Sequence, residues 1–236
     1  HIGIVVSVPA EGSILARALR KEDDRNHLYY KGILAGRPVV LGISGIGKVN
    51  AAHMATRLIH AYSPSLMMNI GVGGAYPSSG LEIGDVAIAE KETYADEGVM
   101  LKDGFHGTEL IGIPLLKKGR RKYFNEFPFD QRLVGKAVKT LAFRPPPFAV
   151  RTGPFATVST CTGTAKRARE IEWQIHAICE NMEGAAVAHI CAIYGVPLME
   201  MRGISNMVGD RDRSGWDVRL AAENCQTAAL QFLKVV

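Results

Sequence analysis

Two glutamates stand beside the ends of predicted strands, where a carboxylate can act as a base or bind hydroxyl groups. Glu11 follows the apolar segment Ile2–Val8 and begins a predicted helix. A carboxylate held there can serve as a general base. It can also simply cap the helix, because the helix dipole favours a negative charge at this end. Position alone favours capping, so both roles stay open here.

The second glutamate, Glu183, follows the predicted strand Ala177–Asn181 and precedes small residues that permit close packing of the next helix. A carboxylate at a strand end can accept hydrogen bonds from the vicinal hydroxyls of a sugar. Met182 beside it offers a soft apolar surface for a ring. A core methionine followed by a helix-capping glutamate would fit the same segment.

A third group of polar side chains, Ser205, Asn206 and Asp210, lies at and after the end of the predicted strand Leu198–Ser205. The Asn206 amide can donate one hydrogen bond and accept another. It can therefore read the O6 and N7 edge of a 6-oxopurine, whereas an aspartate would better suit a 6-aminopurine. A solvated turn of the Asx type is the alternative.

The segment Gly42–Lys48 imitates a nucleotide phosphate-binding loop but lacks the residue that would hold magnesium. It lies between a predicted strand and a predicted helix, and Val49 stands where that motif needs Ser or Thr. We therefore interpret the segment as a tight turn that needs glycine for its backbone conformation. A triphosphatase is rejected.

A second glycine-rich segment, with Gly71, Val72 and Gly73, ends the predicted strand Leu66–Gly71. It departs from a dinucleotide-binding fingerprint because Tyr76 stands at the third glycine position and no helix pattern follows. Glycines at the carboxyl end of a strand let a ligand approach the backbone. A turn without a ligand would look the same.

Apolar runs alternate with helix-period segments along the chain, the pattern of a layered α/β domain. Further strands are predicted at Leu28–Leu34, Pro38–Ser44, Gly84–Ala89 and Phe148–Ser159. Helices are predicted at Ala10–Arg20, Val49–Tyr62, Asp130–Leu141, Thr164–Trp173, Gly184–Tyr194 and from about Asp217. The stretch Leu101–Pro147 is less regular, and connections that long are often lids or binding loops. No linker or repeat interrupts the pattern, so we predict one domain over residues 1–236.

The composition is typical of a globular protein without a membrane segment. Of 236 residues, 47% are hydrophobic and 22% are charged, and no apolar run reaches the roughly 20 residues of a membrane helix. The N-terminus lacks the features of a signal peptide. The four cysteines are scattered, which argues against a zinc site or a disulfide framework and favours a reducing, cytoplasmic location. The net charge of +5 arises partly from the Lys117–Lys122 cluster, which is typical of a solvated loop, and no nucleic-acid-binding motif accompanies it.

Taken together, six segments resemble the purine nucleoside phosphorylase and nucleosidase superfamily. In chain order they are IGIVVSVPAEGSIL, GISGIGKVNAA, NIGVGGAYPSSGLEIGDVAIAEKETYADEGV, GPFATVSTCTGT, NMEGAAVAH and RGISNMVGDRD. They span nearly the whole chain, and the likeness is weakest between Leu101 and Pro147. RGISN followed by VGDRD, together with the AYPSSGL loop, is most similar to the futalosine-hydrolysing branch.

The resemblance implies a three-layer α/β/α sandwich with a central mixed, partly barrel-like sheet. It assigns Glu11 to activating water, Met182 to packing against the sugar and Glu183 to the ribose hydroxyls. The remaining candidate substrate contacts are Gly71, Val72, Gly73, Ser205 and Asp210. No cofactor or metal is implied. Relatives are commonly homo-oligomers in which a neighbour contributes to the pocket, so we expect one here.

The resemblance also marks Asn206 as a departure, because nucleosidase relatives carry an aspartate there that helps to protonate a leaving adenine. An amide cannot donate a proton in that way. We expect Asn206 to hold hypoxanthine through hydrogen bonds as negative charge develops on the base, with Asp210 as a second candidate acid or orienting group. The expected reaction is hydrolysis of a 6-oxopurine nucleoside, futalosine, to hypoxanthine and dehypoxanthine futalosine, a step of menaquinone biosynthesis.

Three other functions stay open. A nucleoside phosphorylase would need cations for phosphate, but Ser7–Gly12 contains no Arg or Lys, and Arg37 and Lys48 are the remaining candidates. A methylthioadenosine/S-adenosylhomocysteine nucleosidase is disfavoured by Asn206. A non-catalytic nucleoside sensor would not need a water-activating carboxylate.

Futalosine carries a benzoate on the 5′ side of its sugar, so a futalosine site needs a group that accepts a carboxylate. The candidate region is the segment that begins at Leu101, with His106 and the Lys117–Lys122 cluster.

Overall fold

The computed structural model describes residues 1–24 and 27–236, and in these residues it contains fourteen strands and six α-helices. The strands are β1 (Ile2–Val6), β2 (Arg20–Asp24), β3 (His27–Leu34), β4 (Arg37–Ile43), β5 (Leu66–Ala75), β6 (Val86–Tyr94), β7 (Gly98–Leu101), β8 (Gly104–Gly107), β9 (Leu116–Lys118), β10 (Arg121–Tyr123), β11 (Glu126–Pro128), β12 (Val150–Thr157), β13 (Cys179–Asn181) and β14 (Leu198–Met207). The helices are α1 (Ser13–Ala16), α2 (Lys48–Tyr62), α3 (Gln131–Phe143), α4 (Ala165–Ile175), α5 (Gly184–Tyr194) and α6 (Val218–Leu233).

Five strands close into a barrel in the order β5, β14, β6, β12, β13 and back to β5. The pairs β5–β14, β6–β12 and β12–β13 are parallel, whereas β14–β6 and β13–β5 are antiparallel. On its other edge β5 pairs with β1, and β4, β3 and β2 extend the sheet from there. Parallel strands such as β1, whose five residues are all buried, are continuous apolar runs because both faces of the sheet are covered.

Helices cover the sheet from outside. α2 packs against α5 and against β1, and α6 packs against β14 and β5. The buried residues of α2 are Ala51, Met54, Ala55, Leu58 and Ile59, a spacing that places them on one face of the helix. The predicted α/β class, with helices around a mixed and partly barrel-like sheet, is confirmed.

The prediction of one helix over Ala10–Arg20 is wrong. A 3₁₀ turn at Pro9–Gly12 leads into the single-turn helix α1, and the chain then enters β2. β2 pairs antiparallel with β3, from Arg20 opposite Lys31. The charged sequence of β2 has little strand propensity of its own, so pairing with a neighbour overrides local preference here.

The glycine-rich segment after Leu66 is not a turn. β5 continues to Ala75, and β14 continues to Met207, because the two strands stay paired along the whole stretch. β6 likewise continues to Tyr94, beyond the predicted end at Ala89. Glycine inside a strand marks a close approach by another group, and at Gly71 that group is the Glu11 carboxylate.

The irregular stretch Leu101–Pro147 contains more structure than its pattern indicates. It holds most of the β7–β8 hairpin, the β9–β10 hairpin, β11 and α3. Strands of three or four residues are too short to show a period of two, so their pattern carries little signal.

Among residues 1–24 and 27–236, no helix is long and apolar enough to cross a membrane. The same residues contain no cluster of three or more His, Cys, Asp or Glu side chains arranged to hold a metal ion.

The contact between β14 and α6 leaves no room for a side chain at Gly203. A Cβ there would lie 1.9 Å from the backbone oxygen of Ala221. Gly203→Ala is therefore expected to lower the free energy of unfolding by about 1–3 kcal/mol or more, because backbone must move. Urea denaturation measures the change. Gly135→Ala, in α3 and with nothing within 4 Å, is the matched control and should raise stability by about 0.5–1 kcal/mol. Equal effects of the two substitutions would contradict the packing at Gly203.

Candidate active site

The segments that follow β1, β13 and β14 meet the middle of β5 at a cavity of about 240 Å³. The predicted site residues that line it are Glu11, Val72, Gly73, Met182, Glu183, Ser205 and Asn206. Gly71 lies directly behind the cavity, and Asp210 does not line it. The structure thus gathers residues from four distant parts of the chain into one cleft.

The Glu11 carboxylate is held by backbone N–H groups from two segments. Its Oε2 accepts hydrogen bonds from Ser7 N at 2.9 Å and Val8 N at 3.2 Å, and its Oε1 accepts one from Val72 N at 2.9 Å. The Val8 contact is the capping interaction that the sequence suggests. The Val72 contact joins the end of β1 to β5 and fixes the carboxylate at the cavity.

Burial raises the pKa of the Glu11 carboxyl above its ordinary value, because the charged form loses water. The positive charge of Arg202 and the N–H donors of Val72 and Val8 oppose this rise, and the negative charge of Glu183 adds to it. A carboxylate with a raised pKa is a stronger base, so the environment suits Glu11 to accepting a proton.

Gly71 is required by this arrangement. A Cβ at position 71 would lie 2.6 Å from Glu11 Oε1 and 2.9 Å from an Arg202 guanidinium nitrogen. Any side chain there would displace both charged groups, so the glycine makes room for charges rather than for a ligand.

Glu183 faces the same cavity from the position directly before α5. It is 5% exposed, and its Oε1 accepts a hydrogen bond from Gly47 N at 2.9 Å. Its side chain does not cap α5. The side-chain oxygen of Asn181 does so instead, accepting from Glu183 N at 2.9 Å and Gly184 N at 2.6 Å. The Glu183 carboxylate is therefore free of the capping role and points to the cavity.

Arg202 links the two glutamates from behind. Its guanidinium is completely buried, 3.6 Å from Glu183 Oε2 and 2.9 Å from Glu200 Oε1, and it acts electrostatically on Glu11. Burial alone would lower its pKa, but the surrounding carboxylates outweigh burial and raise it. Arg202 therefore stays charged and lies between the candidate catalytic carboxylates.

Asn206 forms another wall of the cavity and is partly exposed. Its Oδ1 accepts a hydrogen bond from Ser205 Oγ at 2.8 Å, and its Nδ2 donates to Met207 O at 3.1 Å. Ser205 Oγ also lies within hydrogen-bonding distance, 3.2 Å, of Gly73 O. These contacts fix which side of the amide carries the oxygen, so its donor and acceptor have defined positions.

Glu180 and Thr162 form a further polar wall that the sequence does not single out. Glu180 accepts hydrogen bonds from Thr162 N at 2.9 Å, from Thr162 Oγ1 at 2.5 Å and from Tyr76 Oη at 2.9 Å. Burial and the nearby Glu180 charge raise the pKa of Tyr76, which keeps the phenol a donor. Met182 lies beside this wall, with its sulfur 3.2 Å from Cys161 Sγ.

Asp210 serves another element. Its side chain is exposed and accepts a hydrogen bond from Ala165 N at 2.9 Å, at the start of α4. Within the described chain it is not a lining residue of the cavity.

Of the two cations considered as phosphate ligands, one is paired with carboxylates and the other lies far from the cavity. Lys48 Nζ lies 2.5 Å from Asp96 Oδ1 and 3.1 Å from Glu97 Oε1. Arg37 begins β4, whereas the cavity lies beyond the opposite ends of β4 and its parallel neighbour β1. Seven residues of strand separate those two ends of β4 by about 20 Å.

The segment considered for a substrate carboxylate also lies outside the cavity lining. His106 Nε2 is 3.0 Å from Asp103 Oδ1, and Lys118 Nζ donates to Ala192 O at 3.1 Å. Arg121 and Lys122 line a different cavity of about 520 Å³. Around the cavity of Glu11 and Glu183, the cationic lining residue is Arg211, whose guanidinium lies 5.1 Å from the Trp216 ring centre.

Gly47, Arg202 and Glu180 are the main site residues that sequence reasoning missed. Gly45 and Gly47 have φ values of +88° and +95°, which is the glycine conformation predicted for that turn. The sequence predicts this turn, but it does not predict that the N–H group of Gly47 donates to Glu183. Arg202, an arginine inside an otherwise apolar strand, was the available signal, because a buried cation requires acidic partners.

The family model described as the phosphorylase superfamily matches residues 1–236. A futalosine hydrolase of Thermus thermophilus is 36% identical over 201 residues, which cover 85% of this chain and 83% of that protein. A 5′-methylthioadenosine/S-adenosylhomocysteine nucleosidase of Geobacillus kaustophilus is 30% identical over 211 residues, 88% of this chain and 84% of that protein.

Two solved structures share the fold. The 5′-methylthioadenosine/S-adenosylhomocysteine nucleosidase of Neisseria meningitidis, in complex with methylthio-immucillin-A, has a TM-score of 0.85 at 22% identity and covers 100% of this chain and 99% of that one. The futalosine hydrolase of Helicobacter pylori has a TM-score of 0.83 at 20% identity and covers 100% of this chain and 97% of that one.

Proposed function

This chain belongs to the phosphorylase superfamily, and from that premise we propose that it is a nucleosidase that hydrolyses the N-glycosidic bond of a 6-oxopurine nucleoside, with futalosine as its substrate. Its relatives by sequence include nucleosidases of two specificities. The single observation that carries the proposal is one cavity lined by two buried carboxylates, Glu11 and Glu183, and the amide of Asn206. We propose further that residues 1–236 form one domain of this type and that the protein is a homo-oligomer.

The two carboxylates suit a reaction that develops positive charge on a sugar. As the bond between C1′ and N9 lengthens, its electron pair moves to the purine and the ribosyl group becomes oxocarbenium-like. Negative charges fixed beforehand in a water-poor site stabilise such a transition state more than the ground state. Glu183 accepts hydrogen bonds from the 2′ and 3′ hydroxyls, and Met182 packs against the sugar.

Water completes the reaction at C1′. Glu11 accepts a proton from the water as its oxygen bonds to C1′, so the sugar gains a hydroxyl group and the purine, after taking up one proton, leaves as the free base. The raised pKa of Glu11 supports this role. Its three backbone donors orient the carboxylate and leave no freedom for it to turn away.

Asn206 supports a 6-oxopurine over a 6-aminopurine. Its Nδ2 can donate to O6 or N7, and hydrogen bonds to the base grow stronger as negative charge develops on it. Backbone at Val72 and Gly73 and the hydroxyl of Ser205 complete the walls around the nucleoside.

Water rather than phosphate is the supported nucleophile. Phosphate would need cations beside the two carboxylates, but Lys48 is paired with two carboxylates and Arg37 lies at the far end of its strand. Arg211, the cation on the cavity lining, belongs to the segment after β14 and lies over the Trp216 ring. Arg202 is enclosed among Glu183, Glu200 and Glu11, so an anion at its guanidinium would meet three carboxyl groups. A sensor is disfavoured because binding alone does not require a buried base.

The proposed function is tested by offering the purified protein futalosine, inosine and methylthioadenosine, each with and without phosphate, and by identifying the released base. Hypoxanthine release from futalosine at a rate independent of phosphate is expected. Adenine release from methylthioadenosine as the faster reaction would assign the other nucleosidase specificity. A strict phosphate requirement would assign a phosphorylase, and tight binding without turnover would assign a sensor.

Glu11→Gln removes the proposed base while keeping the size of the side chain. It is expected to lower kcat by about 10²–10⁴, the range for loss of a general base, with KM changed far less. Steady-state kinetics of base release measure this. Glu126→Gln, an exposed partner of Lys91 on β11, is the control and should behave as the parent protein. Unchanged turnover in Glu11→Gln would remove Glu11 from the mechanism.

Asn206→Asp replaces the amide donor by an acceptor with similar shape. Preference is expected to shift from hypoxanthine to adenine release by roughly thirtyfold, because a hydrogen bond of about 1 kcal/mol is lost with one base and another is gained with the other base, about 2 kcal/mol in the ratio. The readout is the ratio of kcat/KM for inosine and methylthioadenosine. Gln131→Glu, at an exposed amide at the start of α3 and outside the cavity lining, should leave the ratio as it is. An unaltered ratio in Asn206→Asp would mean that Asn206 does not read the base.

A further inference from the structure

Behind the cavity lie two carboxyl groups that the proposed reaction does not use. Glu92 projects from β6 and Glu200 from β14, and each is 0% exposed. A Cβ on Gly184 would lie 1.9 Å from Glu92 Oε1 and 2.5 Å from Glu200 Oε1. The two side chains therefore converge on the first residue of α5, and their Oε1 atoms lie at most about 4.4 Å apart, the sum of those two distances.

The partners of these two groups leave one buried carboxyl oxygen without a donor. Glu92 accepts hydrogen bonds from Asn181 Nδ2 at 2.6 Å and Thr157 Oγ1 at 2.8 Å. Glu200 Oε1 accepts from Asn69 Nδ2 at 3.1 Å and from Arg202 Nε at 2.9 Å. Among the described residues, no donor reaches Glu200 Oε2, although this atom is buried. Two carboxyl groups can hydrogen-bond only if one of them is protonated.

We propose that Glu92 and Glu200 share one proton at neutral pH, and that the single negative charge left on the pair positions Arg202 against the carboxylates of Glu183 and Glu11. The pair thus sets the charge balance of the site without touching the substrate. This inference rests on the proposed function only for its kinetic readout.

Charge balance in a water-poor region supports the shared proton. Arg202 is the cation at the centre of four buried carboxyl groups, those of Glu11, Glu92, Glu183 and Glu200. Ionising all four would leave an uncompensated excess of negative charge, which burial makes very costly. Burial, and next the charge of Glu200, raise the pKa of Glu92 well above its ordinary value, whereas Arg202 opposes the rise at Glu200.

Three buried thiols also face this cluster, and they do not change the balance. Burial raises the pKa of Cys179, Cys191 and Cys225, so each thiol stays neutral. The charged groups that act on the candidate base Glu11 are then Arg202 and Glu183.

The pair reaches the catalytic residues by two routes. Glu200 holds Arg202, which in turn lies 3.6 Å from Glu183 Oε2. Glu92 holds the Nδ2 side of Asn181, which turns the Oδ1 side toward the N–H groups of Glu183 and Gly184. Loss of the shared charge would therefore both free Arg202 and loosen the turn that carries Glu183.

The test compares Glu92→Gln, Glu200→Gln and the double variant. Each single substitution removes one carboxyl group but leaves the other to carry the negative charge, so kcat should fall less than about threefold in each. The double variant leaves no charge. Arg202 then acts on Glu11 uncompensated and favours its ionised form, which lowers the pKa of Glu11 and weakens it as a base.

We therefore expect a non-additive result. In the double variant kcat should fall at least tenfold, and the acidic limb of the pH profile of kcat, which reports ionisation of Glu11, should move to lower pH. In the single variants that limb should stay in place. Glu126→Gln, the same substitution on the neighbouring strand β11, is the control. A limb displaced by either single substitution, or left unmoved in the double variant, would overturn the inference.

A spectroscopic measurement keeps the inference testable if the double variant does not fold. The infrared spectrum of the parent protein near neutral pH should contain the C=O band of a buried carboxylic acid, and Glu92→Gln should remove that band, because the remaining Glu200 is then ionised. If the parent protein contains no protonated buried carboxyl group, the inference that Glu92 and Glu200 share a proton is wrong. This readout needs no substrate, so it remains decisive if the protein hydrolyses none of the nucleosides and the proposed function fails.

Discussion

The guanidinium of Arg202 is completely enclosed by protein, and its charge has to be balanced by carboxylates within a few ångströms. A buried cation without such partners would be strongly destabilising. Three carboxylates surround this one cation: Glu183 from the position directly before α5, Glu200 from β14 and Glu11 from the turn after β1. The cavity lies on the outer side of this cluster of charges and is lined by the two candidate catalytic carboxylates. In the proposed function they contact the substrate there.

The strand architecture makes this convergence possible. A closed barrel of five strands brings β5, β6, β13 and β14 side by side, and residues at their ends come together although they are far apart in the chain. Glycine at position 71 then leaves the volume that Glu11 and Arg202 occupy. Glycine at 184 does the same for Glu92 and Glu200. The glycines at these two positions, one in β5 and one at the start of α5, are therefore required for the positions of the charged side chains.

Stability and chemistry make opposite demands on these charges. Burial removes water from a carboxylate, which raises the pKa of Glu11, Glu92 and Glu200. Hydrolysis of a glycosidic bond benefits from ionised carboxylates around the developing positive charge. Arg202 and the N–H donors of Val72 and Val8 oppose the rise in the pKa of Glu11, and in our proposal the deeper pair Glu92 and Glu200 takes up the remaining excess of charge by sharing a proton.

The amino-acid sequence by itself determined the α/β class, most helices and strands, and the polar residues at strand ends, because hydrophobic period and residue type are local properties. Glu11, Glu183 and Asn206 stand out for that reason. Only the tertiary structure decided that β2 is a strand, that Gly47 donates to Glu183 across 136 positions, and that Glu92 and Glu200 converge on Gly184. Pairing and charge state depend on distances between remote residues, and neither composition nor periodicity contains those distances.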